Sequence, residues 1–329
     1  MTESSSPTSY DVLVVGSDVA ALMAALDCAR IGLRVVLLAT PPAEHRPAVF
    51  SHRAGIVASL LTELNIPFSI RERVTVKGHE SRSTAGAATG SIVGIPANPF
   101  ALNVREVLGW RGAWRVYLDR LIPLLTIGTE TNLGHIVRRR LGKRAERLLV
   151  DPVLQALYGL SAEEIPVATV VPGLNQAMTR AGCLTTGIID LIVADPRVAQ
   201  VVEVAGGVGH IETVLRERLA FFSARIIDVA DVHLTLIEDG ENRPTAFGAS
   251  AFAPSGPITV VTQAALLPAG EALAAQSPAN ERVAVVGISE QFPGLESAVP
   301  ESRSASASIR RVLLSDPTRL PLGPLGHEG

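Results

Sequence analysis

Residues 11–40 constrain the fold more than any other part of this sequence. DVLVV (11–15) is a short apolar run rich in β-branched residues, the pattern of a buried strand. The turn Gly16-Ser17-Asp18 follows it. VAALMAALDCARIG (19–32) then reads as a helix rich in Ala and Leu, closed by Gly32 as a C-cap. RVVLLAT (34–40) reads as a second buried strand. A strand, a helix and a strand in this span make a βαβ unit, the opening of a parallel, doubly wound sheet.

Further along, the character changes. From about 94 to 200 the sequence is mostly helical, with Asn132 placed to cap LGHIVRRRLG and Pro152 placed to kink or restart the next helix. Residues 206–220, GGVGHIETVLRERLA, read as a Gly-rich turn feeding an amphipathic helix, and short strands recur at 232–238, 258–262 and 282–288. The expected fold is α/β. A discontinuous Rossmann-like FAD/NAD(P)-binding domain (1–80 and 201–300) is interrupted by a mainly helical substrate domain (81–200), with 301–329 a loose tail.

Composition removes several functions. With 47% hydrophobic and 19% charged residues the chain has too little charge for intrinsic disorder. Its 29 Lys and Arg against 32 Asp and Glu leave no basic excess for a phosphate backbone, so nucleic acid is not an expected partner. Cys28 and Cys183 are too few for a disulfide framework, and the seven histidines lack metal-ligand spacing, so no metal is expected. The polar MTESSSPTSY is no signal peptide. Prolines break both long uncharged stretches, 83–104 and 244–270, so no transmembrane span is expected. The expected location is the cytoplasm, with peripheral membrane contact allowed.

A dinucleotide fold needs Gly-x-Gly-x-x-Gly at its first strand-to-helix turn. Here the six positions are Gly16, Ser17, Asp18, Val19, Ala20 and Ala21. Gly16 is kept and Ala21 is an accepted substitute, but the middle glycine is Asp18. A carboxylate there faces an anion, and two unit charges about 4 Å apart repel by roughly 4 kcal/mol at an effective dielectric near 20. The other reading of Asp18 is a helix cap, its oxygen satisfying orphan N–H groups. An acidic residue for the ribose belongs at the end of the second strand, where Ala39 stands.

NLGHIVRRRLGKRAERLLVDPVLQALYGLSAEEIPVATVVPGL (132–174) resembles the substrate-domain signature of the FAD-dependent porphyrinogen oxidases, the proto- and coproporphyrinogen oxidases of haem biosynthesis within the amine-oxidase-like flavoproteins. VLGWRGAWR (107–115) resembles that family's tryptophan-arginine segment, and Gly206, Gly207 and Gly209 its second Gly-rich turn. The resemblance implies an FAD oxidoreductase that turns a porphyrinogen into a porphyrin, with a porphyrin-like small molecule as ligand. It places Val232 at the adenine, and Trp110, Arg111 and Arg138 on the substrate side; it identifies no catalytic residue. No counterpart of the family's Gly-Gly-Arg stretch, its Gly-Asp motif or its last helix is expected in this sequence, with Arg53-Ala54-Gly55 a faint echo of the first. The implied function is therefore a porphyrinogen-oxidase-like flavoprotein with impaired or lost FAD binding. The alternative is a non-catalytic relative, a pseudoenzyme, that binds a porphyrin or a partner protein.

Two other features carry open readings. Arg138, Arg139, Arg140, Lys143, Arg144 and Arg147 form a basic run that is either an anion site or a solvated helix face. Trp110 and Trp114, four apart on a helix, share a face that lines a pocket, meets a membrane or simply packs.

Overall fold

The computed structural model describes residues 11–39, 47–72, 90–122, 131–228, 234–238, 244–249, 259–263, 283–286 and 294–314. The strands are β1 (Val12–Val15), β2 (Val35–Ala39), β3 (Val49–Ser51), β4 (Phe68–Arg71), β5 (Ser91–Ile92), β6 (Ile95–Pro96), β7 (Val201–Val204), β8 (Arg225–Asp228), β9 (Leu234–Glu238), β10 (Pro244–Ala249), β11 (Thr259–Gln263) and β12 (Val283–Val286). The helices are α1 (Val19–Ala29), α2 (Ile56–Leu64), α3 (Leu102–Tyr117), α4 (Leu133–Leu141), α5 (Lys143–Ala145), α6 (Asp151–Tyr158), α7 (Val167–Val170), α8 (Leu174–Ala181), α9 (Leu184–Ala194), α10 (Gly207–Phe221) and α11 (Leu295–Leu314). They fall into two compact units, one of residues 1–44, 209–289 and 298–329, the other of 45–208 and 290–297.

The first unit holds a five-stranded sheet in the order β12-β11-β1-β2-β8, with every neighbouring pair parallel. Read from β8, this is the 3-2-1-4-5 order of a dinucleotide-binding fold, with the topological switch between β1 and β11. All four residues of β1 are buried, as a central parallel strand covered on both faces requires. Asp11 fixes the start of the β1–β2 pair. Its carboxylate accepts from the Arg34 backbone N–H at 2.9 Å and from the guanidinium at 3.1 and 3.0 Å. Helix α1 is buried at every residue but Asp27, and burial pushes the Cys28 thiol up to about 12. The helix ends at Ala29, and Gly32 takes a left-handed φ of 84° in the turn that follows.

The tail expected to be loose from 301 is instead helical to Leu314. Its buried residues Ala298, Ser302, Ser306, Ile309 and Leu313 recur at helical spacing. The Ser302 hydroxyl donates to the Ala20 carbonyl at 2.6 Å, and the Ser306 hydroxyl bonds the Asp27 carboxylate at 3.2 Å. Small side chains let this helix close on the Ala-rich face of α1.

In the second unit β7 is central in an antiparallel sheet ordered β3-β7-β4. That pairing draws residues 45–72 into the helical unit, whereas the sequence assigns them to the dinucleotide domain. The β5–β6 hairpin turns on Val93 (φ 44°) and Gly94 (φ 83°), the two positive φ values of a tight hairpin turn. Around these strands pack α3, α4 and α6 to α9, through a core that includes Leu108, Leu133, Leu141, Leu154 and Ile165. Asn132 caps α4 as expected, its Oδ1 accepting from the His135 N–H at 3.0 Å. A π-helical stretch, Glu146–Val150, precedes α6, and Pro152 stands in the first turn of that helix, where its missing N–H costs nothing. Among the described residues no single helix is long and apolar enough to cross a membrane; α8 and α9 meet at a 115° bend.

Candidate functional site

The turn after β1 lies at the carboxyl end of the sheet, where folds of this order hold ligands. The Gly16 N–H donates to Leu38 O at 3.0 Å, and φ at Gly16 is 145°, a positive value that favours glycine. Asp18 is the N-cap of α1. It is buried, and its Oδ1 accepts from the Ala21 N–H at 2.8 Å. A carboxylate here is favoured both by the orphan N–H groups and by the helix dipole. Ser17, Val19, Ala20 and Ala21 are buried as well. Ala39, half-buried at the end of β2, stands in register with Asp228 on β8. Asp228 lies far from β2 in sequence, so only the strand pairing brings this carboxylate to the end of β2. Val232 lies outside the described residues.

A pocket opens in the second unit. Its cavity volume is about 160 Å³, and it is walled by Val104, Val107, Leu149, Leu157 and Val201. Ser51, Glu72, Ser91, Asn103 and Gln200 are its polar residues. None of Trp110, Arg111 and Arg138 lines it. Trp110 is 61% exposed and Trp114 53% exposed, and both gather on Phe100, with ring centroids 6.2 and 5.3 Å away. Arg111 is exposed.

The basic run divides. Arg138 is paired with Glu146 at 2.7 Å and also with Glu163. Arg140 is buried beside Asp119 at 3.5 Å. Lys143, Arg144 and Arg147 are exposed. Two of the six charges are thus neutralised inside the unit. Among the described residues no cluster of His, Cys, Asp and Glu could hold a metal ion.

A polar cluster that sequence reasoning missed lies beside the pocket. Tyr158, next to the wall residue Leu157, donates its buried hydroxyl to Glu296 Oε1 at 2.6 Å. Arg53 lies near both groups, its guanidinium donating to Thr169 O at 2.7 Å and Val170 O at 3.1 Å. Burial raises the Glu296 carboxyl above the usual carboxylate range, against the lowering effect of the Tyr158 hydrogen bond. The fold therefore favours the protonated acid. That contribution is complete below the ordinary carboxyl value near 4.3 and is lost as pH rises through the raised one. Glu296→Gln keeps an acceptor for Tyr158 without a charge. It is expected to stabilise the protein at pH 7 by on the order of 1 kcal/mol and to leave it unchanged at pH 4. Urea unfolding at both pH values tests this; equal destabilisation at the two would show that the buried acid is ionised.

No family model matches this chain. A coproporphyrinogen III oxidase of Propionibacterium freudenreichii subsp. freudenreichii is 28% identical over 82 residues, 25% of this chain and 16% of that protein. The coproporphyrinogen III oxidase of Bacillus subtilis (strain 168) is 20% identical over 147 residues, 44% of this chain and 31% of that protein. The matches thus span less than a third of either relative. A provisionally assigned protoporphyrinogen oxidase from Exiguobacterium sp. 255-15 has a similar fold, with a TM-score of 0.51 and 17% identity over 82% of this chain and 62% of its own. The chain is similar to the porphyrinogen-oxidase-like FAD flavoproteins, as the 132–174 segment implies.

Proposed function

We propose that this chain is a porphyrinogen-oxidase-like protein whose dinucleotide turn has lost tight FAD binding. One observation carries the reading: Asp18 Oδ1 already holds the Ala21 N–H at 2.8 Å, at the helix end that receives a pyrophosphate in this fold. The residues present do not fit that group. A side chain stands where the second glycine lets the backbone approach phosphate, and its charge repels one by roughly 4 kcal/mol. Ala39 offers no hydrogen bond to a ribose. Any residual affinity rests on Gly16, on Ala21 and on the Asp228 strand end. A second reading, a non-catalytic binding protein, draws support from the pocket, which is formed wholly by residues of the helical unit.

The expected result is that purified protein, incubated with FAD and desalted, is colourless. Asp18→Gly with Ala39→Glu is expected to strengthen FAD affinity at least tenfold, a gain of about 1.4 kcal/mol, well within the repulsion removed. Stoichiometric flavin absorbance in the unaltered protein would overturn the proposal. So would a double variant that binds FAD no better than the parent.

A further inference from the structure

The pocket of the helical unit has a charge character that differs from the acidic porphyrinogen the resemblance implies. Glu72, at an exposed position, is the one ionisable residue among its described lining residues. Among the described residues no Lys, Arg or His lines it. Three nearby guanidinium groups have polar partners: Arg53 donates to two backbone carbonyls, Arg71 pairs with Glu203, and Arg197 pairs with Asp195 at 2.9 Å. Arg105, outside the lining, lies 5.0 Å from the centre of the Trp110 ring, and its Nε has no hydrogen-bond partner among the described residues. A carboxylate entering this pocket would lose its water and face Glu72, with no cation among the described lining residues.

The neutral polar groups point the same way. Asn103 stands in the first turn of α3, and its amide oxygen is buried with no hydrogen-bond partner among the described residues. A buried acceptor left unpaired is costly, so a donor that reaches this amide gains more than one that meets an exposed amide. Rotation of the amide presents either its oxygen or its nitrogen to the pocket. Val93, also on the wall, is held at φ 44°, a conformation β-branched residues rarely adopt. Strain of this kind persists where the surroundings over-determine the backbone, and it gathers at ligand sites.

We propose that this pocket binds an apolar ligand carrying an amine or comparable nitrogen donor, its hydrocarbon part against Val104, Val107 and Leu149, its donor shared between Asn103 and Glu72. The proposal rests on the pocket alone and is independent of the reading of the dinucleotide turn.

A matched set of probes on the full chain tests it: 1-naphthylmethylamine, 1-naphthoic acid and neutral 1-naphthalenemethanol, titrated by calorimetry at pH 7. The amine is expected to bind at least about tenfold tighter than the acid, since Glu72 attracts one and repels the other. Glu72→Gln, at an exposed position that the fold tolerates, is expected to shrink that ratio about threefold and to leave the neutral alcohol unchanged. Asn103→Leu is expected to weaken the amine about fivefold, the worth of one net hydrogen bond. Val107→Trp, which fills the pocket, is expected to abolish binding of all three. The idea is overturned by acid binding equal to or tighter than amine binding, or by no amine binding. It is equally overturned by an amine-to-acid ratio that Glu72→Gln leaves unchanged, by undiminished amine affinity in Asn103→Leu, or by binding that survives Val107→Trp.

Discussion

Asp119→Ala is expected to destabilise the helical unit by about 3–5 kcal/mol, the cost of leaving a buried charge without its partner. Asp119 is fully buried, and Arg140 is 5% exposed. The Asp119 Oδ2 accepts from the Thr185 N–H at 3.0 Å, which ties the short turn after α3 to the start of α9. The Arg140 guanidinium lies 3.5 Å from Asp119 Oδ1 and donates to Ile122 O at 2.7 Å. Alanine removes both links and strands the guanidinium in an apolar core with one carbonyl. The same reasoning makes a second expectation. Asp119→Leu with Arg140→Met removes both charges together and is expected to recover more than half of the loss, because the pair's desolvation cost disappears with it. Urea unfolding of the two variants decides the matter. A double variant less stable than the single one would show that the ion pair stabilises the core outright.

Gly94→Ala is expected to cost about 4 kcal/mol or more. Two independent effects act at that position. The backbone is left-handed, with φ 83°, which strains any residue with a side chain. A Cβ there would stand 2.0 Å from Leu149 O and 2.9 Å from Val150 Cα, both in the π-helical stretch. Those atoms are backbone, so no rotamer change relieves the contact. Either the β5–β6 hairpin moves away from the π-helix or the stretch rewinds. Both would reshape the pocket, whose wall includes Gly94 and Leu149. A circular-dichroism melt is expected to show a lowered transition in the alanine variant. An unchanged melt would mean that the hairpin and the π-helix do not meet as closely as described.

Much of the first unit is legible because its signals are local. The β1-α1-β2 sequence carries its own strand, turn and helix patterns within thirty residues, and Asp18 is legible as a cap because capping needs only its own helix. Helix α11 is hidden for the opposite reason. SRSASAS has weak helix propensity, and what makes it helical is a partner far away in sequence, the Ala-rich α1 on which Ser302 and Ser306 close. Arg140 is legible in the sequence by its spacing. Leu133, Ile136, Val137 and Leu141 are the buried face of α4, and Arg140 falls on that same face at helical spacing. Reading the arginines as one run by charge, and not by periodicity, merged a core residue with its exposed neighbours. The pocket is not legible in the sequence, since its lining comes from around 51, 72, 91–107, 148–157 and 198–201. No local pattern announces five distant segments meeting.

The strand order of the parallel sheet sets a timetable for the nascent chain. β1 lies between β2, twenty residues on, and β11, which begins at Thr259. Ribosomes add about 5–20 residues per second, so β2 waits roughly 10–40 s for β8 and longer passes before β11 reaches β1. Throughout that interval VLVV and VVLLA present unpaired, apolar edges, the kind that invite pairing with another chain. Residues 45–208, by contrast, are complete before β8 exists. Synthesis therefore delivers most of the helical unit, all but its 290–297 segment, before the sheet is complete, and it leaves the emerging β1-α1-β2 segment open to pairing with other chains for that time.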